Sequence, residues 1–293
     1  MKTVNYYIFE SRKAITSSNK QRRKELEKWL KHKKYDDYVN TLNKMLEDPK
    51  AKTLLEDGFG GELGDTKLKF SVKEITCQNL MPTQKEIDLD KSIKFALKDK
   101  KTIYDTFNDP IEISKPIVTF RENYIIDGHH SWLQAVTLNP EGKLLCFDYD
   151  GDISPIQMLK AVQGTIAAVK AKQDEKKLPS NSISGPNIFD KDFKEKNIKK
   201  YIEDNLDEDL IDSYIELIEE CYDYNTTVDL LVERLLNVKS NNYPLESSPK
   251  REDMPQVFKA GSKSGDKSSA YPDKEGSTLN KLKDDKFMKS IIK

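Results

Sequence analysis

The chain has 293 residues, enough for one core of roughly 150 residues with appendages or for two small domains. Charged residues make up 34% against 36% hydrophobic and the mean hydropathy is −0.74, so the core cannot draw on the whole chain. With 49 Lys and Arg against 50 Asp and Glu the net charge is −1, which excludes a global field toward nucleic acid or membrane, and the preference for lysine over arginine disfavours bidentate phosphate or base recognition.

The opening Met1-Lys2-Thr3-Val4 lacks the apolar stretch of a secretion signal. No run approaches the roughly 18 apolar residues that span a bilayer, so a cytoplasmic protein without a membrane partner is expected. From Ser17 to about Asp57 the spacing predicts helix. Ser17, Ser18 and Asn19 suit an N-cap, and Leu26, Trp29 and Leu30, then Tyr38, Leu42 and Leu46, recur at helical intervals. The basic stretch 20–34 reads as a solvated helix face, with a nucleic-acid patch as the alternative. Gly58, Gly60, Gly61 and Gly64 match neither GxGxxG nor GxxxxGK[ST], so they read as a helix C-cap and connection. Residues 1–66 are therefore expected to be a helical extension.

Residues 67–175 predict a compact α+β domain with a mixed sheet. Lys67 to Ile75 reads as a strand, and Leu80-Met81-Pro82-Thr83-Gln84 as a loop. Asp88 suits the cap of a helix from Leu89 to about Leu97. Ile117-Val118-Thr119-Phe120 and Tyr124-Ile125-Ile126, split by Arg121-Glu122-Asn123, predict a hairpin. Gly128 to Leu138 is helical, Asn139-Pro140-Glu141-Gly142 stops it, and Leu144-Leu145-Cys146-Phe147 is a further strand. Ser154-Pro155 opens a helix to about Lys172. After a linker at 178–186, helices over Phe193–Asn205, Asp207–Tyr222 and Thr226–Val238 predict a small bundle at 187–240. Residues 241–293 lose apolar character and are expected to be a disordered or partner-ordered tail. Within it Pro249-Lys250-Arg251-Glu252-Asp253-Met254-Pro255-Gln256 suits a linear docking segment. Cys77, Cys146 and Cys221 are an odd number with no CxxC, which fits a reducing compartment and argues against a disulfide scaffold or thiolate metal site.

The segment Asp127-Gly128-His129-His130-Ser131 is where chemistry concentrates. It follows a buried β run and opens a helix, so its amides are unsatisfied donors at the positive end of a helix dipole, suited to an anion. Gly128 permits close backbone approach, and Asp127 can orient an imidazole or hold a divalent ion. The bland alternative is an Asp-Gly turn carrying two surface histidines. Two of the three histidines of the chain stand here, beyond a strand's C-terminal end, where ligands commonly sit. Adjacent histidines lack the HxxxH or HxH spacing of zinc, so no intrinsic metal is expected. Mg²⁺ arriving with a nucleotide needs only one or two carboxylates.

A strand, then Asp127-Gly128-His129-His130, then an amphipathic helix resembles the ParB/sulfiredoxin-like superfamily. Leu80-Met81-Pro82-Thr83-Gln84-Lys85-Glu86-Ile87-Asp88 is similar to its loop after the first strand. The likeness covers about residues 67 to 150. It implies a phosphate-binding turn at Gly128, His129, His130 and Ser131 with Thr83 and Gln84 contributing. By similarity to the free-serine kinases it implies Glu86 as catalytic base, with Asp127, His129 and His130 as its partners and ATP, ADP or CTP with Mg²⁺ as ligand. One departure is Ser131, where the superfamily usually has arginine; a hydroxyl brings no charge. Arg121 or Lys115 are the nearby substitutes. Phage proteins labelled ParB-like nuclease carry similar segments, which implies a phage origin and a host-cytoplasm or virion setting.

Three functions compete. The first is a nucleotide-dependent phosphoester enzyme, a phosphotransferase or nuclease. The second is a non-catalytic, DNA-associated binding module, and the third a virion structural or assembly protein whose tail, 241–293, docks a protein partner.

Overall fold

The apolar run at 70–76 and the matching run at 144–149 pair with one another to open the sheet. In the computed structural model, which describes residues 69–113, 117–159, 162, 183 and 185–251, strand β1 (Lys69–Thr76) lies antiparallel to β5 (Lys143–Asp150) along its whole length, from Lys69 opposite Asp150 to Thr76 opposite Lys143. The expected N-terminal helices, the glycine-rich connection, the continuation of the helix past 162 and the chain after 251 lie outside the described residues.

The expected hairpin forms from β3 (Ile117–Phe120) and β4 (Tyr124–Asp127). Its tight turn needs left-handed backbone at both central positions, and Arg121 and Glu122 have φ of 53° and 56°. Buried Asp148 fastens that turn by accepting from the Glu122 amide at 2.8 Å and the Thr119 hydroxyl at 2.9 Å. β3 also runs parallel to β5, and β4 runs parallel to the two-residue β2 (Met81–Pro82), giving the order β1-β5-β3-β4-β2 for the described sheet. Proline in β2 is tolerated because β2 is an edge. The class is α+β with a mixed sheet.

Asp88 does not start the helix expected at Leu89. Its Oδ1 accepts from the Asp90 amide at 2.9 Å, Ser92 Oγ donates to the Asp88 carbonyl at 2.7 Å, and the chain turns before the short α1 (Ile93–Ala96). Such side-chain bonds compete with helix propagation. A second helix, α2 (Lys100–Thr106), is capped by Asp99, which accepts from the Lys101 and Thr102 amides; it shows too few apolar residues to announce itself. α3 (His129–Leu138) follows β4 directly. Ser154 Oγ accepts from the Gln157 amide while its own amide donates to Gln157 Oε1, and helix follows at 155–159.

In the C-terminal part α4 (Glu195–Asn205) stands near its expected span. The helix expected over Asp207–Tyr222 is a 3₁₀ turn, Glu208–Leu210, leading into α5 (Ile211–Leu217), because Ile218 is extended. α6 (Tyr224–Asn241) begins earlier than Thr226, since Asp223 and Thr226 cap it reciprocally. The boundary drawn at 187 is not a break in packing. Trp132, Leu133 and Val136 of α3 share one buried cluster with Ile198 and Tyr201 of α4, Tyr214 of α5 and Leu231 and Leu235 of α6. Arg234 of α6 donates to the Leu138 and Thr137 carbonyls, which closes the C-terminus of α3. Among the described residues no helix is long and apolar enough to cross a membrane.

Candidate functional site

Gly128 joins β4 to α3 with φ +95°, and an added Cβ would stand 3.2 Å from Ile117 Cγ1. The conformation and the close approach together require glycine. The turn is anchored beneath by Trp132, whose indole donates to the Cys77 carbonyl at 2.9 Å.

The two histidines point at two places on one loop. His129 is buried, and its Nε2 accepts from the Thr83 amide at 3.2 Å. The Thr83 hydroxyl is 3.4 Å from the same nitrogen and donates to the Ile125 carbonyl. His130 Nε2 accepts from the Asp88 amide at 3.3 Å. An amide can only donate, so both Nε2 atoms are unprotonated and both rings are neutral, with the proton on Nδ1. Burial accordingly holds His129 well below the ordinary histidine range, aided by His130 and Arg251. Burial, then Arg251, lowers His130 to about 4, against an opposing pull from Asp88. In this arrangement the imidazoles brace the 83–88 loop and carry no positive charge toward a phosphate.

The loop is also held from three other sides. Asn187 Oδ1 accepts from the Ile87 amide at 3.0 Å, and its Nδ2 donates to the Lys85 carbonyl at 3.1 Å. Gln84, expected to reach a phosphate, is buried and donates to the Glu86 carbonyl at 2.9 Å. Asp88 is fully buried; its Oδ1 accepts from the Gly185 amide at 3.1 Å and its Oδ2 lies 3.6 Å from Lys91 Nζ.

The third side is the chain past 241, assigned by composition to the tail. Asn242 donates to the Gln78 and Leu80 carbonyls at 3.0 and 2.8 Å, and Tyr243 meets Phe189 edge-on at 5.6 Å. Farther on, Pro249 accepts from the Lys85 amide at 2.9 Å, and the Arg251 amide donates to Glu86 Oε2 at 2.7 Å. The first three residues of the expected docking segment thus dock on their own chain. The Arg251 guanidinium feels the carboxylates of Asp88, Asp127 and Glu86, which offset the downward push of burial on its ionisation. Its Nε is buried and has no hydrogen-bond partner among the described residues.

Glu86, Asp127, His129 and His130 each lie within electrostatic reach of Arg251, a residue outside the sequence-based set. Ser131 is not gathered with them. It lines a cleft of about 340 Å³ between α1, α2 and α3, together with Lys91, Phe95, Asp105 and Gln134. Arg121 does not supply the missing cation either, because it donates to the Gly151 carbonyl and lies 3.7 Å from Asp150. Lys115 lies outside the described residues. Arg251 escaped sequence reading because about 120 residues separate it from the turn in a segment of tail-like composition. Its only signal was the basic pair Lys250-Arg251 after a proline. Among the described residues no group of three or more His, Cys, Asp or Glu converges as a metal site. The chain matches no family model, no curated protein and no solved structure.

Proposed function

We propose that this chain is a nucleotide- or phosphate-binding protein of the ParB/sulfiredoxin-like kind, with the Asp127–Ser131 turn as its ligand seat. The observation that carries this reading is Arg251: its half-buried guanidinium, with a buried Nε that has no partner among the described residues, lies within electrostatic reach of Asp127, His129 and His130, where α3 opens on a left-handed glycine. Guanidinium and free helix amides are complementary to phosphate oxygens. Arg251 offers the charge that Ser131 lacks. Asp127, half-buried at the end of β4, is the carboxylate suited to Mg²⁺ carried in with a nucleotide, as ATP, ADP or CTP would bring it.

Binding without turnover is the form the geometry favours. Thr83, His129 and His130 are committed to bonds within the fold, and one oxygen of Glu86 holds the Arg251 amide. The same saturation favours a second reading, an assembly or docking protein that keeps the fold and lacks its chemistry. A thermal-shift screen of wild type and Arg251→Ala against ATP, ADP and CTP with Mg²⁺ separates the two. A nucleotide-dependent rise in Tm that the variant loses is the expected result, and no shift with any of the three in wild type would sink the phosphate reading. Released phosphate that disappears in Glu86→Gln would move the assignment to a phosphotransferase or nuclease.

A further inference from the structure

Residues 248–251 hold the site from outside the sheet by very few bonds. Ser248 is buried, Lys250 is exposed, and the described bonds onto the loop run from the Lys85 amide to the Pro249 carbonyl and from the Arg251 amide to the Glu86 carboxylate, with the guanidinium in electrostatic reach of Asp88 and Glu86. Upstream the chain is pinned at Asn242 by two bonds, at Tyr243 by its edge-on contact with Phe189 and at the buried Pro244, whereas Glu246 and Ser247 are exposed in a turn. A segment so tied opens at far lower free energy than the helices and strands beneath it. Its opening removes the one arginine that the described residues place at the turn.

Taking the phosphate reading as its basis, we propose that Ser248–Arg251 is a strap over the Asp127–Ser131 turn, and that a phosphate-bearing ligand and the docked strap hold each other in place. The physical link is Arg251. Its backbone amide anchors on Glu86, its guanidinium lies within electrostatic reach of Asp88, Asp127 and Glu86, and its buried Nε has no acceptor among the described residues. An anion at the helix N-terminus would accept from Nε and lower the energy of the closed strap. A closed strap would in turn keep the guanidinium at the ligand. The coupling is reciprocal by linkage.

Amide hydrogen exchange on the full-length protein reads the strap directly. The Lys85 amide, donated to Pro249, reports strap docking, and the Asp88 amide, donated to His130, reports the turn beneath it. Arg251→Ala is expected to speed Lys85 exchange by about tenfold or more while Asp88 and Trp132 amides hold, with Arg251→Lys restoring part of the protection. In wild type, inorganic phosphate or ATP with Mg²⁺ should slow Lys85 exchange, and Arg251→Ala should weaken binding of the same probe in equilibrium dialysis by about tenfold or more. Lys85 exchange indifferent to Arg251→Ala overturns the strap. Faster Lys85 exchange on adding ATP with Mg²⁺ also overturns it, since that marks a segment the ligand displaces. Equal binding by wild type and variant removes the coupling and leaves the phosphate reading intact, whereas no binding of phosphate or ATP by either protein removes both.

Discussion

Gly128 and the two histidines after it divide the work of the turn. At φ +95° an alanine is strained, and its methyl group would press on Ile117, a residue of the buried core. Gly128→Ala should therefore lower stability by about 1–3 kcal/mol in urea unfolding, with Ile117 resonances shifted. The histidines contribute a pH dependence whose sign follows from their neutrality. Both are depressed in the folded chain, His130 to about 4 against 6.5 for the free group, so the unfolded chain binds protons first as pH falls. Their stabilisation is fully present above about pH 6.5 and is lost progressively as pH drops toward 4, on the order of 3 kcal/mol from His130 alone. His130→Gln, measured across that window, should flatten the acid limb of the stability curve. An unchanged limb would mean that His130 does not stand neutral against the Asp88 amide.

At the scale of elements, the 83–88 loop is the part on which the site depends, and it owes its shape to segments distant in sequence. The α3 histidines, Asn187 and the strap each bond its backbone. Asn187→Ala removes an acceptor from the Ile87 and Phe189 amides and a donor from the Lys85 carbonyl. The expected loss is about 1–3 kcal/mol, concentrated in the loop, so exchange at Ile87 should quicken well beyond that at β5. Uniform quickening across both would show that the loop and the sheet open together. Apart from α2 and the two-residue β2, helix and strand positions along the domain were legible because their apolar spacing is local. The shortening of α1 and the division of α5 were not, since both follow from single side-chain or backbone choices, at Asp88, Ser92 and Ile218, that spacing does not encode.

For the whole molecule, the described sheet and the C-terminal helices share a core, so they should unfold as one unit. Leu231 is fully buried in α6 within the cluster that includes Trp132 and Leu133. Leu231→Ala should cost about 2–5 kcal/mol, and exchange of the most protected amides in β5 and α6 should rise in parallel. Protection kept in β5 but lost in α6 would mark two separate folding units.

The amino-acid sequence by itself determined the α+β class, the hairpin at 117–127 and the strand-to-helix passage through Gly128. Each of these rests on local periodicity or on glycine's backbone freedom. Only the tertiary structure decided what the histidines bond, that Ser131 faces another cleft, and that Arg251 arrives at the turn from beyond α6. Those are long-range hydrogen bonds and charge placements. They depend on chain segments as many as 165 residues apart, between Glu86 and Arg251, meeting across a common core, and no spacing along the chain records them.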